Sequence, residues 1–176
     1  MLPNSRNPRF VSRLNPIINS RINPRFNSRL NPRFNSSINP RFNSSINPRF
    51  NSSINPRFNS RLNYRFNSRI NPRFNSSLNP CFTVLLNPYR AIRFLLPIVF
   101  DLNVVWTHFA VPLPEEYDGY IVFDLNLGLQ HYVLSNKSGG YNLFDINNDW
   151  IGYWIPMEFG FLEYDLMGNW TRFVIV

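Results

Sequence analysis

Two hydrophobic periods divide the chain. From residue 7 to about residue 90 the pattern repeats every eight residues, with Asn-Pro at 7/8, 15/16, 23/24, 31/32, 39/40, 47/48, 55/56, 71/72, 79/80 and 87/88. Asn63-Tyr64 fills the one gap, and a typical unit reads Asn39-Pro40-Arg41-Phe42-Asn43-Ser44-Ser45-Ile46. A proline in every unit removes a donor and clashes with the preceding turn, which excludes a continuous α-helix and a central strand. Asn-Pro-Arg-Phe places Asn and Pro at the first two positions of a type I turn, and Asn-Ser-Ser or Asn-Ser-Arg is a second turn former. With only Phe and Ile or Leu apolar in each octad, burial is too small to offset chain entropy. Residues 1–80 are therefore predicted to be disordered or locally turn-rich. The alternative is an octad solenoid that stacks Phe and Ile inward. The repeat decays through an apolar linker at 81–97, where Thr83-Val84-Leu85-Leu86 replaces the Asn-Ser text.

Residues 98–176 follow another rhythm. Aromatic-Asp pairs stand at Phe100-Asp101, Phe123-Asp124, Phe144-Asp145 and Tyr164-Asp165, spaced by 23, 21 and 20 residues. Five residues beyond each Asp come Trp106, Leu129, Trp150 and Trp170, and eight beyond come Phe109, Tyr132, Tyr153 and Phe173. Each unit reads as strand, short turn, strand, with residues that tolerate positive φ in the last turn at Met167-Gly168-Asn169. Pro112-Leu113-Pro114, Ser138-Gly139-Gly140 and Pro156 to Gly160 have loop compositions. The prediction is an all-β domain of four hairpins in rotation about a shared apolar centre.

The run of aromatic-Asp, short turn, Trp, then Gly-Tyr-Trp or Arg-Phe-Val, clearest in Tyr141 to Pro156 and Phe161 to Val176, resembles the bacterial β-flower proteins, whose four-fold form sets hairpin petals around an axis. It is also similar to tryptophan-glycine repeat proteins. The resemblance covers residues 98–176, implies a fold, and implies no activity or catalytic residue.

Charge sharpens the division. Residues 1–93 hold 16 Arg and no acid, whereas residues 94–176 hold Lys137 and Arg172 against all 10 acids, so +16 faces −8 behind the formal total of +8. A lone Cys81 excludes an intramolecular disulfide and fits a reducing compartment, its replacement of Arg being a tolerated point change. No secretory h-region opens the chain, and charges and prolines interrupt its most apolar stretch, Phe82 to Phe100, below spanning length. These features favour a cytoplasmic chain and make the Asn-Ser-Ser sequons at Asn35, Asn43, Asn51 and Asn75 coincidences of the repeat.

Candidate chemistry lies first in Arg25, Arg33, Arg41, Arg49, Arg57, Arg65 and Arg73, which can pair with phosphates, beside Phe faces on which bases stack. The partner class is single-stranded nucleic acid or another anionic polymer. Adhesion to anionic surfaces and neutralisation by the acidic half are the other uses of that charge. Trp106, Trp150, Trp154 and Trp170 form a candidate aromatic face for a sugar or peptide, with core packing as their ordinary role. The four recurring Asp residues are read as turn initiators rather than an acidic ring. Asp145-Ile146-Asn147-Asn148-Asp149 begins like a calcium loop but continues with Trp150 where Gly is needed and Pro156 where Glu is needed. His108 and His131 share a position seven residues after their Asp, which Gly152 and Arg172 fill in the other units, so a metal would lack a third ligand. With no nucleophile and base set, no metal and no cofactor, the expectation is a non-enzymatic binding or interaction protein. In it the β domain serves self-association or partner binding; the alternatives are a structural spacer whose repeat tract has no selected ligand and a small carbohydrate- or peptide-binding domain.

Overall fold

The computed structural model describes residues 4–91 and 95–176; residues 1–3 of the octad tract and 92–94 of the expected linker lie outside the described residues. Eight strands are present: β1 (Ile98–Asp101), β2 (Trp106–Pro112), β3 (Gly119–Asp124), β4 (Leu129–Ser135), β5 (Tyr141–Asp145), β6 (Trp150–Met157), β7 (Gly160–Asp165) and β8 (Trp170–Ile175). Each pairs antiparallel with the next, and β1 pairs with β8, which closes a barrel and removes every sheet edge. The predicted hairpins β1/β2, β3/β4, β5/β6 and β7/β8 are joined through β2/β3, β4/β5 and β6/β7 into one hydrogen-bonded sheet rather than standing as separate petals. Pro156, expected in a loop, lies in β6 opposite Phe161, with only Glu158 and Phe159 between β6 and β7. Gly160 makes this tight return possible, because at φ +147° an added Cβ would meet the Val174 carbonyl oxygen at 2.0 Å.

The turns after β1, β3, β5 and β7 share one set of bonds. Asp101, Asp124, Asp145 and Asp165 each accept with Oδ1 from the backbone N–H groups two and four residues on, at 2.8–2.9 Å. Val104, Leu127, Asn148 and Gly168, three residues past each Asp, all have positive φ. The carboxylates serve as turn initiators, and the residues 145–149 that opened like a calcium loop are one of these turns.

Strand alternation sends neighbouring residues to opposite faces. Val99, Ala110, Val122, Val133, Leu143, Trp154 and Val174 cluster on one face. Tyr120 of β3 meets Phe161 of β7, strands that do not pair, at 6.2 Å between ring centroids, so this face is the lumen. The opposite face, with Phe100, Phe109, Phe123, Tyr132, Phe144 and Phe173, is the barrel exterior, and it too is buried. It packs against Leu14, Tyr64, Ile70 and Leu78 of the octad tract.

The tract is a regular chain of turns wrapped around the barrel. Where composition argues for disorder, three kinds of contact supply order. Asn39 accepts with its backbone carbonyl from Phe42 and Asn43 N–H, closing a turn, while its side-chain Oδ1 accepts from Arg41 N–H. Its Nδ2 donates to the Pro32 carbonyl of the preceding octad at 2.7 Å, and Asn47 and Asn55 repeat this bond to Pro40 and Pro48. Asn43 and Asn51, the second asparagines of their units, donate likewise to Ser37 and Ser45. Ile, Asn and Pro of each junction therefore face the barrel, with Ile22, Ile46, Ile54 and Ile70 at 0–2% exposure. Phe, expected to stack inward with Ile in the solenoid alternative, faces outward. The entropy argument from an isolated octad omits the apolar surface that the barrel exterior offers to Ile and Pro.

Contacts along the tract step around the barrel in descending strand order. Arg9 donates to Val104 O in the turn after β1, Leu30 O accepts from Tyr164 of β7, Ile46 O accepts from Asn142 of β5, and the Tyr64 ring packs at a tilt against Tyr132 of β4, with centroids 5.1 Å apart. Arg69 then approaches Glu116, ahead of β3. Arg6 closes the circuit by donating to Leu96 O, just before β1.

Asn47→Asp keeps the acceptor for Arg49 N–H but removes the donor to Pro40 O. It should cost about 1–3 kcal/mol in urea unfolding and speed tryptic cleavage at Arg41 and Arg49, whereas exposed Ser44→Ala should change stability by less than about 0.5 kcal/mol. Equal effects from the two variants would show that the inter-octad bond holds nothing.

Candidate functional site

Two surfaces concentrate chemistry: the outward side of the collar and the lumen at the Asp-turn end. On the collar, the third and fourth residues of each octad sit at the turn corner, away from the barrel. Every phenylalanine from Phe10 to Phe82 is 70–80% exposed, and Arg25, Arg33, Arg41, Arg49, Arg57, Arg65 and Arg73 are exposed beside them. Some of these arginines also hold the barrel. Arg33 donates to Asn169 Oδ1 at 2.8 Å, Arg57 pairs with Asp149, and Arg65 donates to Ile146 O and Asn147 Oδ1 at 2.9 and 2.6 Å. The Arg49 guanidinium lies 5.8 Å from the Trp150 ring centroid. Arg41 and Arg73 make no side-chain hydrogen bond among the described residues.

The four tryptophans do not make one face. Trp154 points into the lumen at 1% exposure, stacked on Phe161 and donating to Glu163 Oε2 at 3.0 Å. Trp106, Trp150 and Trp170 lie half-buried on the exterior, each donating Nε1 to the carbonyl two residues on, at 2.8 Å. The candidate aromatic face is corrected accordingly: lumen packing withdraws Trp154, and a register shift in each hairpin, opposite Phe100, Phe144 and Tyr164, turns Trp106, Trp150 and Trp170 to the exterior beside the collar. Trp170 shares a cleft of about 260 Å³ with Arg25 and Arg33.

At the Asp-turn end the lumen turns polar. Glu163, 5% exposed, accepts from Trp154, Thr171 and Arg172, the last at 3.3 Å. His108 and His131 do approach, with ring centroids 6.3 Å apart, and His131 Nε2 is buried without a hydrogen-bond partner. Burial pushes His131 down to about 3, and the nearby Arg172 and His108 add to the effect, so its ring is neutral. Burial and Arg172 lower His108 as well, partly opposed by Asp124. Among the described residues no three His, Cys, Asp or Glu side chains gather where they could hold a metal ion. For Asp165, burial raises the carboxyl pKa, but the bonds from Asn169, Met167 and Gly168 outweigh it and hold the group below its ordinary value.

Sequence reasoning missed the Glu163–Arg172 pair. Its signal was present: Leu162-Glu163-Tyr164 carries an acid at the middle position where Ile98-Val99-Phe100, Phe109-Ala110-Val111 and Ile121-Val122-Phe123 carry small apolar residues. No family model matches the chain, and no curated protein or solved structure matches it either.

His131 links stability to pH. An unfolded imidazole titrates near 6.5 and the folded one near 3, so the stability is complete above about pH 6.5 and is lost as pH falls toward 3. Urea unfolding at pH 4.5 should show wild type losing more than about 1 kcal/mol beyond the loss seen in His131→Asn, relative to pH 7.5. Parallel losses would remove the histidine from this account.

Proposed function

We propose that this chain is a non-enzymatic binding protein in which an octad collar presents arginine and phenylalanine to an anionic polymer, with single-stranded nucleic acid the best-fitting partner. The observation that carries the reading is the row of phenylalanines at 70–80% exposure, each from Phe10 to Phe74 next to an exposed arginine. Large apolar groups repeated on a surface mark an interaction site more often than scattered single residues do. Arginine takes phosphates through paired donors and phenylalanine offers a stacking face to any base, a combination that is tolerant of sequence. The barrel acts as the hub that curves the collar. Within this proposal its hairpins are four units about a pseudo-symmetric axis, the β-flower-like arrangement that the aromatic-Asp pattern suggests.

A structural reading has its own support. Arg57 with Asp149, Arg65 with Ile146 and Asn147, and Arg33 with Asn169 use collar charge to fasten the tract. In that reading the arginines serve the barrel and no outside ligand is selected. The smaller possibility of a carbohydrate- or peptide-binding domain is left with Trp106, Trp150 and Trp170, since Trp154 is inside.

Salt separates the readings. The full chain should bind a fluorescein-labelled 12-mer of oligouridylate at about 50 mM salt and lose affinity linearly in log–log coordinates up to about 300 mM, with a slope set by the number of phosphates contacted. No change in anisotropy at about 50 mM salt, with the protein folded, would leave the structural reading in place.

A further inference from the structure

We infer that the cleft between the collar and the turn after β7 is a subsite for one nucleotide of a single strand, with its base on Trp170 and its phosphate between Arg25 and Arg33; this rests on the nucleic-acid reading above. The cleft, about 260 Å³, is bounded by Arg25, Asn31 and Arg33 from two consecutive octads and by Leu102, Asn169 and Trp170 from the barrel. No acidic side chain lines it, although the barrel half of the chain is acidic overall. Its volume falls below the roughly 300–1,000 Å³ of pockets that enclose a drug-sized molecule, which suits a single unit of a polymer that continues over the surface.

Each wall has an unspent capacity of the right kind. Trp170 has committed its N–H to the Arg172 carbonyl, so its remaining surface is a ring face, which binds bases by stacking. Arg33 holds Asn169 Oδ1 through one Nη, and its other donors remain for a phosphate. Arg25 engages the fold through its backbone N–H, donated to Asn23 Oδ1, and its guanidinium makes no hydrogen bond among the described residues. Phe26 and Phe34, the chain neighbours of these arginines, are 75% and 77% exposed, and they offer stacking faces for bases on either side of the subsite.

The cleft also has a local origin in the sequence. Its lining includes Gly168, at the positive-φ turn position where the other hairpins carry Val104, Leu127 and Asn148. A Cβ at Gly168 would come within 3.8 Å of Pro32 in the collar, so a longer side chain there would project into the gap between turn and tract.

Three variants of the full chain test the assignment in the oligouridylate anisotropy assay. Trp170→Leu is compatible with the fold because Leu129 occupies the equivalent strand position; Gly168→Asn follows Asn148. The Arg25→Ala/Arg33→Ala double variant is compared with Arg41→Ala/Arg73→Ala, which removes the same charge elsewhere on the collar. Trp170→Leu, Gly168→Asn and Arg25→Ala/Arg33→Ala should each weaken binding by about tenfold, and the charge-matched control by about threefold or less. Equal weakening by the two double variants, or unchanged affinity in Trp170→Leu with circular dichroism intact, overturns the subsite while strand binding by the collar stands. Absence of binding by wild type overturns the collar reading itself.

Discussion

The asparagine side-chain amide is the interaction on which the rest depends. Its oxygen closes a turn locally, as Asn47 Oδ1 does on Arg49 N–H, and its nitrogen reaches a carbonyl of the preceding octad, as Asn47 Nδ2 does on Pro40. A chain with proline in almost every octad cannot build a continuous backbone ladder, because too many donors are missing and the turns leave too few residues extended. The amide supplies both a donor and an acceptor at fixed separation, so it can replace that ladder. Aspartate would lack the donor, and glutamine would be one methylene too long for the same turn.

This bonding scheme orients everything else in the octad. With Asn and Pro turned toward the barrel, the preceding Ile or Leu is turned inward too, and the following Arg and Phe are left at the corner. The barrel needs that inward face. Its exterior carries Phe100, Phe109, Phe123, Tyr132, Phe144 and Phe173, an apolar surface of a kind that a free-standing barrel would expose to water. Collar and barrel therefore complete one another. The tract gains a surface on which to bury isoleucine, and the barrel gains a cover.

Electrostatics follows the same division. Carbonyls and side chains of the hairpin turns receive Arg9, Arg33, Arg57 and Arg65, so part of the positive charge is used within the molecule. Half-exposed pairs such as Arg57 with Asp149 add little stability, typically below about 1 kcal/mol, and their main effect is to fix the register of octads against turns. The lumen has a different problem. Glu163 is buried at the polar end with three donors around it, while His131 avoids the cost of a buried charge by staying neutral.

The sequence alone determined the local conformations. Asn-Pro and Asn-Ser specified turns, aromatic-Asp specified hairpin starts, and the spacing of about 20 residues located the hairpins, because these are set by backbone sterics and by bonds within a few residues. The charge split between the two halves was equally plain. What only the tertiary structure decided was which side of each element is inside. Period-two alternation cannot be applied to an octad of two turns, so Phe and Ile looked equivalent although one is exposed and the other buried. The uninterrupted apolar triplets, such as Phe173-Val174-Ile175, did carry the information that both sheet faces are covered. Identifying the cover required bringing Tyr64 to Tyr132 and Ile46 to Asn142, partners whose separation along the chain leaves no local trace. The same holds for Arg25, Arg33 and Trp170: each was legible as a residue type, and only the closure of the collar around the barrel put them in one cleft.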